Sequence, residues 1–139
     1  MIVLDTSGLL SAIDAAQRHH GPAREALESA DPPLLISPFV LAELDYLLAT
    51  RVGRPEQLAL LAEVELGAYR LEPFTATDIG AARTVLERYS DLDLGLADAS
   101  NVVLANRHDT LDLLTLDERH FRTLRSLSGQ PFRLLPSDA

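Results

Sequence analysis

The sequence predicts an α/β protein: a three-layer α/β/α sandwich with a central, mostly parallel sheet. Short apolar runs alternate with longer segments of helical periodicity, the pattern of strands joined by helical crossovers and covered on both faces. Hydrophobic residues make up 47% of 139 positions, enough for a packed core in a domain of ordinary size. No internal repeat, low-complexity tract or linker interrupts the pattern, so residues 1–139 read as a single domain.

In chain order, residues 2–4 are a buried first strand ending at Asp5. Thr6-Ser7-Gly8 turns into a helix carrying Leu9, Leu10 and Ile13 at helical spacing. Residues 21–30 form a second helix with Pro22 near its first turn, stopped by Asp31-Pro32-Pro33. Residues 34–37 are a second strand. Pro38 opens a long apolar helix through about Arg51, ended by Gly53, and another helix runs from Arg54 to about Leu66. Residues 68–72 are a weaker strand. Thr75 or Thr77 caps a helix that reaches about Tyr89. Residues 95–107 are helical, and residues 111–116 form a strand ending at Asp117. A short helix spans roughly 118–125, and residues 132–135 are the last strand.

Composition excludes several kinds of chemistry. Without cysteine there is no disulfide, thiolate metal site or cysteine nucleophile, which suits a reducing cytoplasm. The opening Met1-Ile2-Val3-Leu4-Asp5 has no basic region ahead of its apolar run and does not read as a signal peptide. No apolar run approaches the ~18 residues that span a bilayer. A soluble, cytoplasmic protein with no membrane association is expected. The net charge of −9 runs against phosphate binding, which ordinarily calls for a basic surface. Carboxylates gathered around a cation would account for part of that charge. All 12 basic residues are arginine. The absence of lysine removes a P-loop and disfavours a receiver-like or phosphatase-like phosphoryl-handling domain, which Asp5-Thr6 after a first strand would otherwise suit.

Four acids stand out by position. In open parallel sheets the working site lies beyond the carboxyl ends of the strands. Asp5 and Asp117 stand there, and either alone would read as a helix N-cap. Glu43 lies within residues 39–48, a helix apolar on most of its circumference, so burial is expected and an unpaired carboxylate there would be costly. Its partner is either an arginine from elsewhere in the chain or a bound cation. Asp45 points to a different face. Asp98 sits in the first turn of the 95–107 helix, where the macrodipole favours negative charge. Asn101 shares its face and suits a contact to a carboxylate or a metal-bound water. The small residues Gly95, Ala97 and Ala99 would let this turn approach the first strand. Four carboxylates from four segments suit one or two Mg²⁺ ions. Such a centre activates water, clamps a phosphate and stabilises the leaving oxygen, so phosphodiester hydrolysis is the natural chemistry.

These residues resemble a known family. Ile2-Val3-Leu4-Asp5-Thr6-Ser7 followed by Leu9-Leu10 looks like the opening of PIN domains. Ser37-Pro38 through Glu43-Leu44 resembles the second acidic motif, Leu96-Ala97-Asp98-Ala99 the third, and Leu114-Thr115-Leu116-Asp117 with His120-Phe121 the last. The order matches across nearly the whole chain, and the size is similar to VapC toxins of VapBC toxin–antitoxin pairs. The resemblance implies a PIN-like sandwich, Mg²⁺ or Mn²⁺ dependence, endonucleolytic cleavage of RNA, and inhibition by a small cognate antitoxin that inserts into the acidic groove. It assigns Asp5, Glu43, Asp98 and Asp117 as catalytic, metal-site acids, with Thr6 or Ser7 supporting Asp5 and Thr115 orienting a water or phosphate. Glu118 competes with Asp117 for the last role. Homodimers are common among such toxins, so a homodimer is expected.

Arg119, Arg122 and Arg125 follow Asp117 and, on a helix, would lie close enough together to grip an RNA backbone, with His120 among them. A solvated helix face accounts for them equally well. Arg51 and Arg54 make a second small basic patch with the same two readings. His19-His20 and His108 read as solvated surface residues, and Phe39, Tyr46, Phe74 and Tyr89 as core. The segment from Leu58 to Leu66 packs internally or forms a subunit interface. The competing non-enzymatic reading is an acidic interaction module whose carboxylates bind a partner or a structural cation.

Overall fold

The computed structural model describes residues 1–139. The elements follow in the order β1 (Ile2–Leu4), α1 (Thr6–Ile13), α2 (His20–Ser29), β2 (Leu34–Ile36), α3 (Pro38–Leu47), α4 (Arg54–Glu65), β3 (Arg70–Leu71), α5 (Ala76–Arg88), α6 (Leu96–Arg107), β4 (Asp112–Leu114), α7 (Glu118–Phe121) and β5 (Arg133–Leu135). The five strands pair in the order β3-β2-β1-β4-β5, and every pairing is parallel. The sheet is thus wholly parallel, where a mostly parallel one was expected.

Strand β1 is buried on both faces, and the side chains of β1, β2, β4 and β5 alternate between two cores, while the edge strand β3 is exposed. Ile2 and Leu4 of β1 pack with Leu9, Ala12, Ala23, Leu27, Val40, Leu44 and Leu60 from α1 to α4. Val3 faces the opposite way, toward Ala82, Val85, Val102 and Leu104 of α5 and α6 and toward Phe121. Phe121 meets Phe132 edge-on with ring centroids 6.3 Å apart, which anchors α7 to the start of β5.

Several elements end earlier than their sequence suggests. The long helix from Pro38 is α-helical only to Leu47 and finishes in a π-helical turn, Leu48–Val52, before Gly53. Strand β4 ends at Leu114, so Thr115 and Leu116 separate it from Asp117. Helix α7 has a single turn, and beyond it Arg125 forms an isolated bridge with Pro131. Of the three arginines only Arg119 lies on α7; Arg122 is its C-cap and Arg125 lies beyond it. Tyr46 is 65% exposed and not a core residue, because α3 offers its outer face to solvent. Phe39 and Phe74 do pack, edge-on at 5.1 Å.

Chain order places the site. After β1 the chain builds outward through β2 and β3, then returns to the other side of β1 to add β4 and β5. The reversal falls between β1 and β4, so a crevice opens beyond their carboxyl ends. Asp5 and Thr115 occupy those two ends.

Candidate metal-dependent active site

Asp5 stands at the N-cap position of α1, yet its side chain caps nothing there. It turns instead toward α6 and β4. Asn101 Nδ2 donates to Oδ1 at 3.0 Å, Thr115 Oγ1 donates to Oδ2 at 2.7 Å, and Ser7 Oγ donates to Oδ2 at 3.1 Å. The carboxylate is 4% exposed, and burial is the main force lifting its pKa to about 6. The negative charge of Asp98 adds to the rise, and the Thr115 and Ser7 hydrogen bonds oppose it.

Thr115 does more than touch Asp5. Its hydroxyl also accepts the Asp117 N–H at 3.0 Å. One fully buried side chain therefore ties the acid after β1 to the acid after β4. That is a positioning role, deeper in the protein than the expected contact to water or phosphate. Ser7 reinforces the link by accepting the Leu116 N–H at 3.0 Å. The Thr6 side chain makes no such contribution: its Oγ1 is buried without a partner, and Thr6 reaches the Asp5 carboxyl only through its backbone.

Asp98 lies in the first turn of α6, and its Oδ2 accepts the Gly95 N–H at 3.0 Å. Its pKa is raised, chiefly by burial and further by the charges of Asp117 and Glu43, while the Gly95 N–H and His120 pull it down. Asp98 is thus the electrostatic hub that faces each of the other three acids. Asp117 caps α7, accepting the His120 N–H at 3.1 Å, and its second oxygen meets His120 Nδ1 at 2.8 Å. Glu118 is turned away and paired with Arg122 at 2.9 Å, so Asp117 is the acid that joins the cluster.

Glu43 corrects an expectation. It is exposed on α3, not buried, because the apolar stripe that faces the core runs through Val40 and Leu44. No desolvation penalty demands a cation there. Its claim on the site is its electrostatic reach to Asp98. Two residues to which sequence reasoning assigns no role hold α3 in place. Ser37 caps it by accepting the Phe39 N–H at 3.1 Å, and Ser37 Oγ lies 2.7 Å from Ser100 Oγ of α6, both side chains fully buried. The Ser-Pro pair before the helix is the signal that could have found the first of them. By sequence His120 stands in the last family motif and in a basic patch without a role of its own, although an Asp-x-x-His spacing puts both side chains on one helical turn.

Of the arginines after Asp117, Arg122 is bound twice to Asp138, at 2.7 Å to each oxygen, besides its contact with Glu118. Arg119 and Arg125 are exposed and form no ion pair. His108 is no free surface residue either, since its Nε2 pairs with the buried Glu72.

The donor set suits a hard divalent cation: carboxylates converge at a strand-end crevice, one of them held charged only at a cost, and Asn101 Oδ1 is buried without a partner beside it. The chain belongs to the PIN domain family, whose model matches residues 2–126. Over 135 residues it is 45% identical to Ribonuclease VapC26 of Mycobacterium tuberculosis, covering 97% of this chain and 100% of that protein. The chain is therefore a VapC homologue. Among solved structures it is similar to VapC20 of Mycobacterium tuberculosis, described as a Sarcin-Ricin loop cleaving toxin, with a TM-score of 0.77 and 26% identity over 84% of this chain and 90% of that one. FitAcB from Neisseria gonorrhoeae shares the fold, with a TM-score of 0.56 and 21% identity over 78% of this chain and 83% of that one.

Proposed function

We propose that this protein is a VapC-type toxin: an endoribonuclease that hydrolyses RNA phosphodiester bonds at a Mg²⁺ centre (Mn²⁺ also serving) and is neutralised by a small cognate antitoxin. The observation that carries this reading is Asp5, a buried carboxylate fixed by three donors and facing Asp98 at the switch point of the sheet. Asp5, Asp98 and Asp117 would hold the ion, with Glu43 completing the acidic rim. A bound divalent ion supplies an activated water and neutralises charge building on the phosphate. The chain's own groups do the positioning. Thr115 and Asn101 fix both oxygens of Asp5, Gly95 fixes one oxygen of Asp98, and the His120 backbone fixes Asp117. Arg119 and Arg125 are exposed, outside any ion pair and free to meet phosphates, whereas Arg122 is closed off by Asp138.

The supporting observations extend to the remaining features of this reading. One sheet with a core on each face supports reading residues 1–139 as a single domain. No helix is long and apolar enough to cross a membrane; the cytoplasmic location belongs to the VapC-type reading itself. Leu58, Leu61 and Leu66 are exposed on and just after α4, in keeping with a homodimer.

The test is cleavage of a mixed RNA substrate by the purified chain with Mg²⁺, Mn²⁺ or EDTA, beside Asp5→Asn and a DNA strand of the same sequence. Cutting of RNA that needs the metal and Asp5 is expected. Cutting that survives both EDTA and the substitution overturns the proposal.

A further inference from the structure

His120 is placed unlike a surface histidine. Its side chain is 16% exposed, and it sits on the single turn of α7 between Asp117 and the core residue Phe121. Asp98, Asp117 and His120 each offer one donor atom, and the three atoms lie within 4.8 Å of one another. Around an ion with bonds of roughly 2.1 Å, donor atoms stand at most about 4.2 Å apart, so a closure of no more than about 0.6 Å between any two of them would bring all three onto one centre. The imidazole is also prepared for the task. An ionised Asp117 can only accept a hydrogen bond, so Nδ1 carries the proton between them, and in the neutral imidazole, the form a metal ligand takes, Nε2 is the nitrogen with a free lone pair. Metal-binding histidines are held in this way, one ring nitrogen donating to a carboxylate while the other is left for the ion.

We propose that His120 is a metal ligand of this centre through an imidazole nitrogen, and that this nitrogen makes the site favour Mn²⁺ over Mg²⁺. The inference rests on the acidic cluster being the metal site of the nuclease reading, and it names a ligand and a preference that the four acids do not supply. Mg²⁺ is bound by oxygen donors and gives up its waters reluctantly. Imidazole suits transition ions, among which Mn²⁺ also accepts carboxylate and water. A mixed set of carboxylates and one imidazole therefore separates two ions that an all-carboxylate site would treat more alike.

Metal binding is measured on the full chain without RNA. Mn²⁺-loaded protein examined by pulsed electron paramagnetic resonance should show the coupling of a directly bound imidazole ¹⁴N. Titration calorimetry should show tighter Mn²⁺ than Mg²⁺ binding. In His120→Asn, the amide keeps a donor near the place of Nδ1 and removes Nε2. The nitrogen coupling should vanish, and Mn²⁺ affinity should fall about tenfold or more while Mg²⁺ affinity changes little. Absence of nitrogen coupling in the wild-type protein overturns the proposal and needs no variant to be folded. So does an Asn variant that keeps the wild-type preference for Mn²⁺. RNA cleavage assayed in parallel keeps the two readings apart: nitrogen coupling without cleavage defeats the ribonuclease reading alone, and cleavage without nitrogen coupling defeats this one alone.

Discussion

Asp5 accepts hydrogen bonds from Asn101, Thr115 and Ser7, and burial still lifts its pKa from 3.8 to about 6. In the metal-free protein the folded state therefore holds a proton on Asp5 more tightly than the unfolded chain does. The stability this confers is complete below 3.8 and is lost as the pH rises through about 6, about 3 kcal/mol in all. Asp5→Asn abolishes the charge, and the Thr115 and Ser7 hydroxyls can turn to accept its amide. Without metal, the variant should melt above the wild type at about pH 8, with the gap closing at about pH 4. Scanning calorimetry across pH checks this, and a gap independent of pH would count against a strained Asp5. Added Mn²⁺ should raise the melting temperature of the wild type more at about pH 8 than at about pH 5, because the ion needs the ionised carboxylate. Thr115→Val removes both the donor to Asp5 and the acceptor for the Asp117 N–H. It should cost about 1–3 kcal/mol and most of the RNA cleavage, whereas Thr115→Ser should keep both, as melting and activity measured together would show.

Helix α1 and strand β4 approach closely because residue 8 has no side chain. A Cβ at Gly8 would stand 2.4 Å from Leu114 O and 2.8 Å from Thr115 N. Gly8→Ala should therefore push α1 off β4 and destabilise the fold by about 1–3 kcal/mol. The same shift separates Asp5 from Thr115, so metal affinity should fall along with the melting temperature, while Gly80→Ala, with open space around it, should leave metal affinity unchanged. At the far edge of the sheet, Glu72 follows β3, 5% exposed, and accepts from Arg70 at 3.1 Å and Arg107 at 3.4 Å, with His108 as a third partner. Burial pushes the Glu72 pKa up, but His108 and Arg70 outweigh it and hold the carboxyl below its ordinary value. Its stabilising contribution is thus present above 4.5 and is lost on acidification through the lower folded value. This clamp fastens the short β3 edge to the end of α6, the helix whose first half carries Asp98 and Asn101.

Across the whole molecule, a net charge of −9 is reconciled with a nucleic-acid substrate locally. The acids of the crevice are the ones a cation would neutralise, and Arg119 and Arg125 stand exposed nearby in sequence, outside any ion pair. Binding of a cleavage-resistant, 2′-O-methylated RNA should weaken in Arg119→Ala and Arg125→Ala. The salt dependence should become shallower by about 0.7 in slope for each phosphate no longer neutralised by an arginine. Arg122→Ala should leave the salt slope unchanged, because Asp138 and Glu118 already occupy that guanidinium. Fluorescence anisotropy at several salt concentrations distinguishes the cases.

Much of the molecule was legible without coordinates because local chemistry dictated it. The β1 run ending in Asp5, the capping Thr75, the Pro38 helix start and the β–α alternation all follow from patterns a few residues long. Asp5, Asp98 and Asp117 were legible for the same reason, each tied to the end of an element. What only the tertiary structure decided is which partners those acids meet. Thr115 reaching Asp5 spans 110 residues of sequence, Asn101 reaching it spans 96, and Ser37 meeting Ser100 spans 63. The exposure of Glu43 likewise depended on which stripe of an evenly apolar helix faced the core, and periodicity does not resolve that when most of the circumference is apolar. The sequence by itself determined the layers and the acids at their edges. The return of the chain from β3 to pair β4 against β1 decided that two of those acids share one hydroxyl, because parallel pairing brings the carboxyl ends of both strands to a single crevice.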